Sequence, residues 1–118
     1  MQLEPYAANR LADEMAQMLE GGMVEIFDKD GKRLASAKFN GFNASQDGVL
    51  TGYPFAPAIA ENDGVPFRFE AYGQNLRRVL TGTAGHRSDK PKPDMAFKTK
   101  QLVKDGDVMI ETFIFSVA

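Results

Sequence analysis

The feature that most restricts this chain is a change of hydrophobic period near residue 22. Over residues 5–19, Ala8, Leu11, Ala12, Met15, Met18 and Leu19 recur at steps of three and four. That spacing gathers them on one stripe of a helix, with Asn9, Arg10, Asp13, Gln17 and Glu20 largely opposite. Pro5 suits the first helical position, where its missing N–H would lack a partner anyway, and Gly21 or Gly22 can take the left-handed conformation that ends a helix. From residue 23 the period falls to two, and Gly, Asp and Asn punctuate at short intervals, as in successive antiparallel strands. A chain built this way must lay its helix on a sheet to bury the stripe. The expectation is therefore a mostly β (α+β) fold: an antiparallel β-sandwich or barrel-like sheet of about seven strands with one N-terminal amphipathic helix. It reads as a single domain over 1–118, with 1–22 as helix and cap and 23–118 as the antiparallel β part.

The strands are delimited by their turns. Segments 23–27 and 33–39 flank Asp28-Lys29-Asp30-Gly31-Lys32, where Gly31 can supply the positive φ of a short hairpin loop. After a polar passage, 49–53 reads as a weak strand before Pro54 and Pro57. Val65, Phe67, Phe69 and Ala71 alternate with polar neighbours, and Gly73-Gln74-Asn75 turns the chain into 76–84. Segment 85–94 has no apolar residue except its prolines and reads as an exposed, extended loop. Met95, Phe97 and Thr99 open the next strand, and Lys104-Asp105-Gly106-Asp107 turns into a last strand over 108–117, apolar on both faces. That pattern predicts a central strand, covered by sheet on one side and by the helix on the other. The helix then acts as a lid, with Leu11, Met15 and Leu19 facing the core.

Composition excludes several chemistries. The 118 residues contain no cysteine, which removes disulfides, thiolate nucleophiles and sulfur-ligated metals. Fourteen basic and sixteen acidic side chains give a net charge of −2, too balanced for general attraction to nucleic acid or anionic lipid. No apolar run approaches the length of a membrane span. The start, Met1-Gln2-Leu3-Glu4-Pro5, has neither the basic nor the apolar region of a secretory signal.

Each motif has a structural reading that outweighs a chemical one. Asp28-Lys29-Asp30-Gly31 resembles the start of a calcium loop, but with Gly31 at position six the ligand positions one and twelve fall on Ile26 and Ala37, which lack the needed oxygen. The single histidine, His86, cannot form a His-pair zinc site. With Ser88 and Asp89 it offers sequence adjacency, not triad geometry. Gly82-Thr83-Ala84-Gly85 lacks the Lys-Ser/Thr and the helix of a phosphate loop. Phe55, Phe67, Phe69, Phe97, Phe113 and Phe115 read as core, while Phe39 and Phe42 are harder to bury together, so one of them is expected to face a partner. The candidate interaction surface is Phe42, Tyr53, Tyr72, His86, Arg87, Lys90 and Lys92. No catalytic residue, cofactor or metal is expected.

The order of the Ala-rich helix, Leu19-Glu20-Gly21-Gly22, Val24-Glu25-Ile26-Phe27, Leu34-Ala35, Gly48-Val49-Leu50-Thr51, Phe67 to Tyr72, Leu80 to Gly85 and Val108 to Phe115 resembles small uncharacterised or structural proteins of tailed phages and prophages. The basic insertion His86 to Asp94 is longer than the tight glycine turn of that group. The resemblance implies a non-enzymatic, virion-associated structural or adaptor protein working through protein-protein contacts, a homo-oligomer with itself and other virion proteins as partners. Its place would be the virion, or the bacterial cytoplasm during assembly; on the charge and hydropathy above, neither membrane nor nucleic acid is expected as a partner. The alternative is a β-sandwich binding module for a small ligand or glycan, stacking on Phe42, Tyr53 or Tyr72.

Overall fold

A computed structural model describes residues 1–117. Among them are one helix, α1 (Pro5–Leu19), and seven strands: β1 (Met23–Phe27), β2 (Arg33–Lys38), β3 (Val49–Thr51), β4 (Arg68–Tyr72), β5 (Arg78–His86), β6 (Met95–Phe97) and β7 (Ile110–Ser116). The expected α+β, mostly β architecture is present. The strands form one open sheet in the order β2-β1-β4-β5-β6-β7-β3, and it does not close into a barrel.

One pairing departs from the antiparallel expectation. β5 and β6 run parallel, with Ala84 beside Met95 and His86 beside Phe97. Parallel neighbours normally need a crossover of a dozen or more residues. Here β6 spans only Met95–Phe97, so the chain has to travel back only about 10 Å before pairing again, which residues 87–94 cover easily. The remaining pairings are antiparallel.

The sheet curls so that its two halves face each other across the core. Phe113 on β7 lies 5.5 Å from Phe69 on β4 and 5.5 Å from Phe39 at the end of β2, ring centre to ring centre. Phe42 and Phe55 complete this aromatic cluster. Phe39 and Phe42 are thus both half-buried against it, because the glycine-containing passage after β2 folds back onto β7 and does not project one ring outward. Phe67 departs the other way. It is 56% exposed, since residues 65–67 precede β4 and only Pro66 among them is buried.

The helix is seated through part of its expected apolar stripe: Leu19 is buried and Met15 packs half-buried against the core, as read, whereas Leu11 does not. Ala8, Ala12 and Leu19 are buried, whereas Leu11 and Met18 are 49% and 50% exposed. Asn9 and Asp13, expected outward, hold the helix to the turn before β3. Asn9 Oδ1 accepts the Gly48 N–H at 2.7 Å, and the Ser45 hydroxyl donates to Asp13 Oδ1 at 2.6 Å. These bonds rotate the alanine face toward the sheet, where small side chains allow close approach, and leave Leu11 and Met18 at the edge. At its other end the helix stops at Gly21, with φ of +75°. Gly22 follows so close to β4 that a Cβ there would fall 1.8 Å from the Tyr72 carbonyl oxygen.

Both edges of the sheet are covered by the chain itself. The N–H groups of Ala56 and Glu61 donate to the carbonyls of Lys38 and Leu34 on β2, and that of Asn43 donates to Thr51 on β3. These bonds occupy some of the edge acceptors through which sheets otherwise add strands.

Candidate functional site

The central part of the sheet, unlike its rims, is incomplete. β5 has nine residues and β7 seven, but the strand between them has three. β6 reaches β5 only at Ala84–His86 and β7 only at Ile110–Phe113. Below the level shared by Ala84, Met95 and Phe113, β5 and β7 continue with no strand between them. Counting down that antiparallel arrangement, Gly82 comes level with Phe115 and Thr81 with Ser116.

The reason β6 stops is local. Pro93 has no N–H to offer a neighbouring strand, and Asp94 ends the ladder with both its main chain and its side chain. Its carbonyl accepts the Ile114 N–H at 3.0 Å. Its carboxylate accepts the Thr83 N–H at 3.0 Å, while the Asp94 N–H donates to the Thr83 hydroxyl at 3.0 Å. The chain then leaves through Pro93, Lys92 and a cis Lys90–Pro91 bond.

What remains is a slot whose walls are strand edges. On β5 the Ala84 N–H points to β4, donating to Phe67, and the Thr83 N–H points the opposite way, to Asp94. Alternation along a strand therefore directs the N–H and C=O of Thr81 into the slot. On β7 the Phe113 carbonyl and the Val117 N–H serve the β3 side, bonding Gly52 and Gly48, while the Ile114 N–H serves Asp94. The same alternation directs the backbone groups of Ser116 into the slot. Two edges separated by one missing strand lie about 9.5 Å apart.

The slot is a hollow of about 390 Å³ lined by Phe69, Leu80, Phe113 and Phe115, with Thr81, Lys92, Asp94 and Ser116 among the polar groups at its rim. Its floor depends on Gly82. A Cβ there would lie 2.6 Å from Phe69 Cε1 and 2.7 Å from Asp94 Oδ2, so only glycine lets the Phe69 ring and the Asp94 carboxylate meet across β5.

Of the candidate interaction residues read from the sequence, only Lys92 lines this hollow. His86, Arg87 and Lys90 belong to the same 86–94 connection, which is exposed as expected apart from half-buried His86 and buried Pro93, but is folded into turns and not extended. His86 is half-buried and ends β5. Asp89 Oδ2 accepts the His86 main-chain N–H at 2.9 Å, whereas the imidazole Nδ1 sits 2.6 Å from Ser88 Oγ. The carboxylate therefore holds the backbone and does not orient the ring. Arg87 pairs with Glu111 at 3.2 Å. Phe42 belongs to the aromatic cluster. Tyr53 is exposed beside Gly41, and the Tyr72 hydroxyl donates to Glu70 at 2.7 Å.

The outer face of β1 and β4 brings Glu25 and Glu70 directly opposite each other, a carboxylate pair invisible in the sequence. Each is answered by arginine: Arg33 at Glu25, and Arg68 and Arg78 at Glu70. Hydrogen bonds from Arg68 and Tyr72 hold the Glu70 carboxyl below its usual range. It therefore stays ionised at neutral pH, the opposite of a carboxyl poised as a general acid.

No protein-family model, curated protein or solved structure matches this chain. No helix among the described residues is long and apolar enough to cross a membrane.

Proposed function

We propose that this protein is a non-enzymatic structural or adaptor component that works through protein-protein contacts, and that the slot between β5 and β7 is where an extended segment of polypeptide docks. The observation that carries this reading is the pair of facing strand edges over an apolar floor. Thr81 and Ser116 present backbone donors and acceptors in the pattern that only another strand can satisfy on both sides at once, the mode of recognition by strand addition. The rims of the sheet are partly occupied by Asn43, Ala56 and Glu61, which favours strand addition in the interior. On the resemblance to tailed-phage and prophage proteins, we infer that the setting is a phage-like particle, in the virion or in the bacterial cytoplasm during assembly.

The test is titration with a capped peptide of alternating threonine and valine, followed by backbone amide chemical shifts. Binding should move the resonances of Thr81, Ser116 and Leu80 first, and Thr81→Pro, which removes one slot-facing donor and no β4 bond, should weaken it at least tenfold. A peptide that perturbs none of these residues at millimolar concentration would refute the reading.

A further inference from the structure

We propose that the strand accepted by the slot is residues 1–4 of a second copy of this chain. The proposal rests on the reading of the slot as a strand acceptor and names its donor.

The slot fixes what a donor must be. It offers three residue levels on each wall, from Gly82 and Phe115 at the closed end to Leu80 and Val117 at the mouth, about 10 Å of extended chain. Because successive side chains point to opposite faces, alternate donor residues must be apolar, to meet Phe69, Phe113 and Phe115. The others lie beside the Thr81 and Ser116 hydroxyls at the surface. The donor must also be exposed and outside any ladder in its own copy, since a strand already paired would have to break bonds before docking.

Residues 1–4 meet each condition. Met1 and Leu3 are apolar and alternate with Gln2 and Glu4. Met1 is fully exposed and Leu3 is 52% exposed. The segment lies outside every helix and strand, and Glu4 is already extended, with φ −65° and ψ 150°. Pro5 ends the usable strand by lacking an N–H and by opening α1. The segment's one charged side chain, Glu4, is acidic, whereas Lys92 lines the slot and Lys90 adjoins it in the same exposed connection.

The fold also directs the arm away from its own slot. Asn9 and Asp13 pin the helix to Gly48 and Ser45. From there Met1, Gln2 and Leu3 run along a hollow of about 400 Å³ shared with Asp47 and Val117, on the β3 side of β7. The slot lies on the other side of that strand. The arm therefore projects next to the slot mouth without entering it, which suits exchange between neighbours. Reciprocal exchange closes a dimer, and one-way exchange builds a chain.

Sedimentation equilibrium of the full chain over a roughly hundredfold range of concentration tests this, since a contact of this size is weak and set by mass action. The wild-type mass should rise from 13.0 kDa to at least twice that value. Leu3→Asp, which spoils the donor, and Thr81→Pro, which spoils the acceptor, should each stay monomeric while keeping wild-type circular dichroism. Ser116→Pro serves as a second acceptor variant if Thr81→Pro does not fold. Mixing the donor and acceptor variants should restore association, because one retains an intact slot and the other an intact arm. Wild-type protein that stays monomeric throughout overturns the proposal. So does Leu3→Asp associating as the wild type does. If in that case Thr81→Pro alone fails to associate, the slot reading stands and only the donor is wrong; if both associate unchanged, the slot is not the contact.

Discussion

Gly82→Ala probes the floor of the slot. The added Cβ would sit 2.6 Å from Phe69 Cε1, 2.7 Å from Phe69 Cζ and 2.7 Å from Asp94 Oδ2, so two neighbours must yield at once. Phe69 is fully buried and packs 5.5 Å from Phe113, and displacing such a ring costs about 1–3 kcal/mol of overpacking strain. Asp94 can swing outward, but that leaves the Thr83 N–H without its acceptor at a cost of about 1 kcal/mol. Against this, alanine restricts the unfolded chain and returns about 0.4–1 kcal/mol. The balance is a destabilisation of about 1–3.6 kcal/mol. For a chain of this length, with about 4 °C of Tm per kcal/mol, the midpoint should fall by about 4–15 °C. Urea unfolding followed by circular dichroism measures it directly. Phe69→Leu in the same chain should recover part of the loss, because it removes the ring carbon that the Cβ strikes, and a double-mutant cycle gives the coupling. A Gly82→Ala protein as stable as the wild type would refute the close approach of Phe69 across β5, and with it the slot's geometry.

Other parts of the structure carry their own tests. The Thr112 hydroxyl is buried without a hydrogen-bond partner, so Thr112→Val, nearly the same shape, should raise stability by about 1 kcal/mol in urea melts; a loss of that size would mean the hydroxyl is bonded. Leu76 holds a φ of +64° and is exposed, and Leu76→Asn, which tolerates that conformation better, should raise the Tm by a few degrees, about 1 kcal/mol. Glu70 has its folded-state pKa lowered, chiefly by the Arg68 hydrogen bond and then by Tyr72. Its stabilising contribution is complete above the unfolded carboxylate pKa and is lost as pH falls through the lower, folded value. Glu70→Gln should therefore flatten the acid limb of the stability curve, and an unchanged limb would place the proton uptake elsewhere.

The elements were legible in the sequence because each is punctuated locally. Pro5 and Gly21 bracket the helix, and Asp28-Lys29-Asp30-Gly31 turns β1 into β2 as read, with Asp28 Oδ1 accepting the N–H groups of Asp30 and Lys32. At Lys104-Asp105-Gly106-Asp107 the chain turns as read, with the positive φ on Asp105, while the Gly106 N–H donates to Val103 and its carbonyl accepts from Ala60. The helix stripe was legible, but not that Leu11 and Met18 would stay at its edge, because hydrophobic size and actual seating differ. Ala8 and Ala12 are buried through close approach, and Asn9 and Asp13 set the rotation through hydrogen bonds to residues some 30–40 positions away. The slot was hidden for a related reason. Met95-Ala96-Phe97 reads as an ordinary short strand, and only its pairing partners reveal that it is shorter than both. Pro93 and Asp94, directly before it, were the signal, since a proline there stops a central strand from extending backward.

Hydrogen exchange in dilute protein, where single copies prevail, tests the central claim most directly. Neighbours within one strand differ: Leu80 and Gly82 donate into the β4 ladder and Phe115 serves the β3 side, whereas the Thr81 and Ser116 amides face the slot. Thr81 and Ser116 should exchange at least about a hundredfold faster than Gly82 and Phe115 and become protected when a strand binds. Equal protection of all four amides in the isolated chain would contradict the slot.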